Sequence, residues 1–289
     1  LLQFRPTKVF VSHPADLNPD HRALYLFARV ALWDAEPGLR PAVYPYLTHF
    51  RRWPLPRALQ PGARLEPPAH LRGGSDWAEL RLSNRDLAGK IAALQAHRSQ
   101  FAYSGSYLLS FVRRNELFGD LRPVDLSRPR DMAPAAPEPL PTEAELAEDL
   151  GGDDRALYTD IEWDGARLDR DCLVVSVTLS RPLLSSVRAT FSLFGYRAGR
   201  PFAEMPKLRV AIGARGHRVW DGARRVAGAG VECRRDRERL ILRVPLAALG
   251  GPDRVLASAH TAAGATGLDW IAWRVLRLPP GAGEQDSAP

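Results

Sequence analysis

The sequence has very few cysteines and lysines. In 289 residues it contains two cysteines, and nearly all of its 40 cationic residues are arginine. Cys172 and Cys233 lack the short Cys-x-x-Cys spacing of metal or redox motifs, so we expect two buried free thiols. Free thiols suit a reducing compartment, and on this basis we predict a cytoplasmic protein.

Long apolar runs and clustered charge are also missing. No stretch of 18 or more apolar residues occurs, so no membrane span is expected. The net charge of +7 comes from arginines spread along the chain, and the densest basic run, residues 234–239, is interrupted by acids. This pattern is not typical of a nucleic-acid-binding face, and we predict no nucleic-acid partner. The hydrophobic fraction of 45% and the length favour about two globular domains.

The first 35 residues hold the most informative pattern. An apolar stretch predicts a strand at Lys8–Ser12, and an amphipathic segment predicts a helix at Asp20–Trp33. The apolar face predicted for this helix consists of Leu24, Phe27, Ala28 and Ala31. The acid and histidine of Asp20-His21 stand at this strand-to-helix junction, where open α/β sheets place metals and substrates.

The run Ser-His-Pro-Ala-Asp-Leu-Asn-Pro-Asp-His-Arg-Ala-Leu, within residues 9–32, resembles the second metal-binding segment of the PIG-L/LmbE family of zinc-dependent N-deacetylases. The resemblance implies that His21 is a zinc ligand and that Asp20, before it, orients a ligand. Asn18 stands where many members carry a histidine beside the reacting carbonyl. An amide donates a hydrogen bond to an oxyanion but shuttles no proton, so that role is weakened or passes to a neighbour such as His13. Asp20 has an almost equal interpretation as a helix-capping carboxylate.

The first metal motif of that family, His-Pro-Asp-Asp, has no counterpart before Val9. His13-Pro-Ala-Asp16 imitates it, but Ala15 occupies the general-base position. We therefore expect a fragment that is inactive alone, with the other ligands and the base on chain upstream of Leu1. The alternative is a compact site of His13, Asp16, His21 and His49, which we rank below hydrogen-bonded capping.

The remainder of residues 1–122 predicts an incomplete Rossmann-like α/β domain. A second strand at Pro41–Leu47, taken as parallel to the first, would bring His49 near the site, as a substrate contact. Trp53 lies in a proline- and glycine-rich loop that is either a substrate wall or a packed surface loop. Helices are predicted at Arg85–Phe101 and Tyr103–Phe118, and their sequences extend the deacetylase resemblance to Phe118.

Residues 123–150 are rich in proline and alanine, which predicts a linker. Residues 151–280 contain short alternating segments separated by turns, which predict an all-β antiparallel sandwich. Residues 281–289 are predicted to be a disordered tail. The strand rhythm and aromatic placement resemble family 9 carbohydrate-binding modules, and Trp163 and Trp220, beside turns, are the candidate sugar-binding aromatics. The predicted strands are Cys172–Leu179, Arg188–Phe194, Lys207–Ile212, Gly216–Trp220, Gly230–Cys233, Arg239–Val244, Arg254–His260 and Asp269–Leu276.

Together these features predict part of a zinc-dependent N-deacetylase. Its cofactor would be Zn²⁺, and its substrate an N-acetyl group on an amino sugar or glycoconjugate. The alternative is a non-catalytic glycan-binding protein that acts through the sandwich.

Overall fold

The computed structural model describes residues 1–126, 156–227 and 229–281. It divides into an N-terminal unit, Leu1–Arg122, and a C-terminal unit, Pro123–Pro289. Strands outnumber helices, and the described part of the chain has only three α-helices. No helix among these residues has the length and apolar character needed to cross a membrane.

The N-terminal unit begins with a βαβ arrangement. Strand β1 (Lys8–Ser12), helix α1 (Pro19–Ala35) and strand β2 (Ala42–Tyr46) follow each other in the chain. The strands pair in parallel, from Lys8 opposite Ala42 to Ser12 opposite Tyr46. The predicted strand at Lys8–Ser12 and its parallel partner are confirmed. Within the described residues this sheet has two strands, so the larger Rossmann-like sheet is not confirmed.

Helix α1 buries a different face from the predicted one. Its buried residues include Tyr25 and Leu32, whereas Leu24 and Phe27 are exposed. The Tyr25 hydroxyl donates to Asp120 Oδ1 at 3.1 Å, and Arg29, one turn further along the helix, pairs with the same carboxylate. These long-range contacts set the rotation of the helix, so the face predicted from apolar spacing is wrong.

The other helices of this unit are shorter than predicted. Helix α2 (Asn84–Ala96) and helix α3 (Arg98–Leu109) meet at His97. Ser83 and Asp86 form a reciprocal capping box at the start of α2, which supplies partners to backbone N–H groups that the helix leaves free.

The end of the predicted Tyr103–Phe118 helix is wrong. Strand β3 (Ser75–Arg81) pairs antiparallel with strand β4 (Asn115–Leu121), and β4 alternates between buried and partly buried residues. The ring of Trp77 lies against Gly119, where an added Cβ would be 2.3 Å from the indole. A helix at this position would lose that close packing.

The C-terminal unit consists of two antiparallel sheets, with one short parallel pairing at an edge. The strand order of the larger sheet is β11-β10-β9-β8-β14-β16-β5, with β15 also paired to β14, and that of the smaller is β12-β13-β7-β6. The strands are β5 (Val124–Asp125), β6 (Ile161–Asp169), β7 (Cys172–Leu179), β8 (Val187–Tyr196), β9 (Lys207–Gly213), β10 (Gly216–Asp221), β11 (Arg224–Arg225), β12 (Glu232–Asp236), β13 (Arg239–Pro245), β14 (Arg254–Ala263), β15 (Thr266–Trp270) and β16 (Arg274–Arg277).

One apolar core lies between the two sheets. Val175 and Leu242 enter it from the smaller sheet, and Phe191 and Val210 enter it from the larger one, all with no exposed surface. This arrangement agrees with the predicted all-β sandwich. Alternating side chains on each strand supply the core on one face.

The strand predictions in this unit differ from the structure at several places. Strand β7 has the predicted bounds, but β6 had no predicted bounds, and β12 begins two residues after the start of the predicted strand Gly230–Cys233. The predicted strand Asp269–Leu276 is two strands, β15 and β16. The break follows Trp270, where the Ile271 N–H donates to Ala259 O. The start of the predicted linker forms β5, paired with Leu276–Arg277. The described residues do not include residues 127–150 of the predicted linker, residues 151–155, or residues 282–289 of the predicted tail.

Candidate metal centre

Asp16 is the centre of a buried polar cluster in the N-terminal unit. Its side chain has no exposed surface. Oδ1 accepts the Asn18 N–H at 2.9 Å, and Oδ2 accepts the N–H groups of Thr48 and His49 at 3.1 and 3.0 Å. Three backbone donors therefore fix the carboxylate at the ends of β1 and β2.

Two histidines approach the same carboxylate oxygen. Nδ1 of His21 lies 3.2 Å from Asp16 Oδ1, and Nδ1 of His49 lies 3.3 Å from it. The imidazole centroids are 4.9 Å apart. Both Nδ1 atoms are buried and have no hydrogen-bond partner. The two imidazole rings therefore lie close to the Asp16 carboxylate without forming hydrogen bonds to it.

Two of the three separations in this cluster suit a shared divalent cation. The three ligand atoms lie within 4.8 Å of one another. Tetrahedral zinc with ligand distances of about 2.0–2.1 Å requires neighbouring ligand atoms to be about 3.3–3.4 Å apart. The two Asp16–histidine separations meet this requirement closely. The His49 side chain is 41% exposed, so the cluster is open to solvent on that side, as an open coordination position requires.

The structure shows both features that the sequence analysis weighed for this site. Asp16 accepts three backbone N–H groups, as in hydrogen-bonded capping, and His21 and His49 lie beside it, as in the compact cluster. His49, predicted as a substrate contact, lies with its Nδ1 3.3 Å from Asp16 Oδ1. Asp16 was not assigned a role by the family resemblance.

His13 does not join the cluster. Its ring is buried and stacks on Trp77, with centroids 5.4 Å apart and planes at 6°. Its Nδ1 accepts the Ala15 N–H at 3.0 Å. These contacts give His13 a packing and turn-stabilising position and do not support the catalytic role predicted for it.

Asn18 and Asp20 take positions at the start of α1. Asn18 is the N-cap residue, and its Oδ1 accepts the Asp20 N–H at 2.9 Å. Asp20 is exposed in the first helical turn, where a carboxylate interacts favourably with the helix dipole. The carboxylate beside His21 belongs to Asp16, and the positions of Asn18 and Asp20 agree with the capping interpretation.

Three tryptophans were predicted to contact substrate, and two of them pack inside. Trp53 is buried with Leu47, Leu65 and Leu117, and its Nε1 donates to Glu66 O at 2.8 Å. Trp163 packs against the core of the C-terminal unit. Neither position supports a binding face. Trp220 lies half-buried on the larger sheet.

The surroundings of the cluster include residues that the sequence did not single out. The Tyr107 ring lies 6.2 Å from the His49 ring, and its hydroxyl donates to Thr48 O. Arg57 lies over the Tyr107 ring at 4.7 Å. Burial raises the pKa of Tyr107, so this phenol is a neutral hydrogen-bonding group next to the strand ends. Burial lowers the pKa of Arg22, and the Asp16 carboxylate opposes that shift.

Comparisons with known proteins add no identification. No family model matches the chain, and no curated protein matches it.

Proposed function

We propose that the N-terminal unit binds one divalent cation, zinc best, through Asp16, His21 and His49, and that the chain is a metal-dependent N-deacetylase of the PIG-L/LmbE kind. The observation that carries this proposal is the pair of orphaned, buried Nδ1 atoms at 3.2 and 3.3 Å from one carboxylate oxygen. Buried polar atoms normally have partners, and a cation supplies one to all three groups.

The ligand types favour a hydrolytic metal. Two imidazoles and one carboxylate are a ligand set that catalytic zinc sites use, with a fourth position left for water or substrate. A cation at this place would supply Lewis acidity to a carbonyl oxygen and lower the pKa of a water molecule. The three backbone N–H groups on Asp16 hold the carboxylate in place, and this restricts the ligand geometry before any cation binds.

The deacetylase assignment comes from the resemblance of residues 9–32. That resemblance names His21 as a ligand, and the geometry adds Asp16 and His49 from the same edge of the sheet. The substrate class, an N-acetyl group on an amino sugar or glycoconjugate, rests on the resemblance alone. Acetamide hydrolysis is a reaction that a three-ligand zinc centre supports by polarising the amide.

Acetate release from N-acetylated sugars tests this function. The full chain would be assayed with excess zinc on N,N′-diacetylchitobiose, with His21→Ala as the test variant and His70→Ala, an exposed histidine of the same unit, as the matched control. This proposal assigns to Asp16 and His49 the ligand places first expected upstream of Leu1, and so it replaces the expectation of a fragment inactive alone. We expect zinc-dependent acetate release that is lost in His21→Ala and kept in His70→Ala. Equal activity of His21→Ala and the unchanged protein contradicts the proposal, as does absence of acetate release from a zinc-loaded protein across a panel of N-acetylated sugars.

A further inference from the structure

One peptide group of the candidate metal centre is held from two sides. The peptide that joins Thr48 to His49 donates its N–H to Asp16 Oδ2 at 3.0 Å, and its carbonyl oxygen accepts a hydrogen bond from the Tyr107 hydroxyl. A peptide group is planar and stiff. Tyr107, on helix α3, is therefore connected to Asp16 and His49, two of the three proposed ligands, through this single unit.

His49 is the most exposed of the three proposed ligands. Its side chain is 41% exposed, against 28% for His21 and 0% for Asp16. An exposed side chain keeps rotamer freedom that it loses when it binds a metal, and this loss weakens binding. The Tyr107 ring lies against the His49 ring, with centroids 6.2 Å apart and planes at 27°. Tyr107 therefore restricts His49 through both the ring contact and the hydrogen bond to Thr48 O.

The direction of the Tyr107 proton follows from its second hydrogen-bond partner. Arg57 forms a hydrogen bond with the Tyr107 hydroxyl, and its guanidinium carbon lies 4.7 Å from the ring centroid. A guanidinium group donates hydrogen bonds and accepts none. The phenol oxygen therefore accepts from Arg57, and its proton points to Thr48 O. Burial raises the pKa of Tyr107, so the phenol keeps this proton at neutral pH.

The chain on both sides of Arg57 is anchored. Pro56 O accepts a hydrogen bond from the guanidinium of Arg113, a side chain with no exposed surface. The Ala58 N–H donates to Ser110 Oγ at 2.8 Å, and Ser110 is also fully buried. Buried partners hold the backbone on either side of Arg57, so this loop presents the guanidinium to Tyr107 at a defined position.

The peptide between Thr48 and His49 also transmits the effect of Tyr107 to Asp16. A group that accepts a hydrogen bond at its oxygen is polarised and donates more strongly from its N–H. The Tyr107 hydroxyl therefore strengthens the bond from the His49 N–H to the Asp16 carboxylate. Groups that hold metal ligands in place from outside change metal affinity by about 10- to 100-fold when they are removed.

We propose that Tyr107 is a positioning residue of the metal centre, which orients His49 and Asp16 through the peptide between Thr48 and His49, and that Arg57 directs its hydroxyl. The inference rests on the proposed binding of a cation by Asp16, His21 and His49. It does not depend on which substrate the centre acts on.

The zinc affinity of the full chain, measured by competition with a chelator of known affinity, tests the proposal. The test variants are Tyr107→Phe, which keeps the ring and removes the hydroxyl, and Arg57→Met. Tyr103→Phe is the matched control, because Tyr103 lies one turn earlier on α3 and is 92% exposed. Ser83→Ala, which removes the cap of α2, is the control for a general loss of stability.

We expect Tyr107→Phe to bind zinc about tenfold more weakly than the unchanged protein and Arg57→Met about threefold more weakly. Both controls should bind zinc as the unchanged protein does. With cobalt in place of zinc, the visible absorption bands should shift in Tyr107→Phe, because the ligand geometry changes, and should stay in place in Ser83→Ala.

The outcomes separate this inference from the metal centre on which it rests. Zinc affinity and a cobalt spectrum in Tyr107→Phe equal to those of the unchanged protein overturn the positioning role and leave metal binding intact. An equal loss of affinity in Tyr107→Phe and Ser83→Ala also overturns it, because lost stability alone then explains the result. Absence of zinc binding by the unchanged protein contradicts the metal centre itself, and the inference with it.

Discussion

The two units differ in how they bury large apolar side chains. Among the described residues, eleven of the twelve exposed large hydrophobic side chains belong to the N-terminal unit, including Phe4, Phe10, Phe27 and Tyr103. The C-terminal unit contributes only Leu184. Paired sheets of four and eight strands cover one another, whereas a two-stranded parallel sheet leaves apolar surface open. We therefore expect the C-terminal unit to supply most of the stability of the chain and the N-terminal unit to supply the chemistry.

The largest expected effect compares one phenylalanine in each unit. Phe191→Ala removes a ring with no exposed surface from the sandwich core and should lower the free energy of unfolding of the C-terminal unit by about 3–5 kcal/mol. Phe27→Ala removes a ring that is 68% exposed and should change the stability of the N-terminal unit very little. Urea unfolding monitored by circular dichroism measures both. Similar losses for the two variants would remove the distinction between the units.

A smaller effect is expected at Asp16 in the metal-free protein. Asp16→Ala leaves the N–H groups of Asn18, Thr48 and His49 without their acceptor, and the site is buried. Hydrogen bonds to charged groups contribute more than neutral ones, so we expect a loss of about 2–3 kcal/mol from the N-terminal unit alone. Asp34→Ala, at an exposed position of α1, is the control. Thermal unfolding with a chelator present checks this, and an unchanged midpoint for the N-terminal unit would contradict it.

Helix α2 should depend on its cap. Its only buried residue is Leu87, so packing contributes little, and Ser83→Ala should lower the melting temperature of the N-terminal unit by about 5 °C. Ser83→Thr, which keeps the hydroxyl at the cap, should retain most of the stability. Hydrogen bonds from Ser83 also lower the pKa of Asp86. An Asp86 titration that is the same in Ser83→Ala as in the unchanged protein would argue against the capping box.

The smallest effect is a loss of stability at alkaline pH through a buried thiol of the C-terminal unit. The N-terminal unit has no cysteine, while burial raises the pKa of Cys172 in the other unit. A raised pKa means that the folded state holds the thiol proton more firmly. The stability contribution is complete below the unfolded thiol pKa of about 8.5 and falls as pH rises above it towards the raised value.

Urea unfolding across this pH range should show that loss in the unchanged protein and a smaller one in Cys172→Ala. In native protein the thiol should also react slowly with a disulfide reagent. Fast labelling of Cys172 at neutral pH would contradict its burial.

Part of the candidate site could be predicted from the sequence, because the sequence pattern indicates where the strands end. The end of β1 at Ser12 was predicted, and the end of β2 at Tyr46 was predicted to within one residue. Parallel strands end on the same edge, so Asp16 and His49 were recognised as possible neighbours of His21. They were ranked below ordinary capping, and the structure does show capping bonds to Asp16. Metal binding at the same residues is our proposal.

Asp20 was assigned an orienting role because it matches the acidic residue that precedes the ligand histidine in the family that this segment resembles. Adjacent side chains on a helix point about 100° apart, so a residue before the helix, Asp16, reaches the imidazole more easily. The rotation of α1 was missed for a related reason, because Asp120 holds Tyr25 and Arg29 from a distant strand.

The sandwich strands were predicted well because alternation is a local signal that burial enforces. The helix prediction for Phe111–Phe118 was wrong because the apolar residues there suit both a helix and an alternating strand. The pairing of β4 with Trp77 and its neighbours on β3 determines that the end of this segment is a strand.

The zinc stoichiometry of the full chain tests the central claim most directly. Isothermal titration of the chelator-treated protein should give one zinc site, and His49→Ala should lose it while His70→Ala keeps it. Cobalt in place of zinc should give the strong visible absorption of a four-coordinate site. Retention of stoichiometric zinc by His49→Ala, with an unchanged cobalt spectrum, would contradict a centre formed by Asp16, His21 and His49.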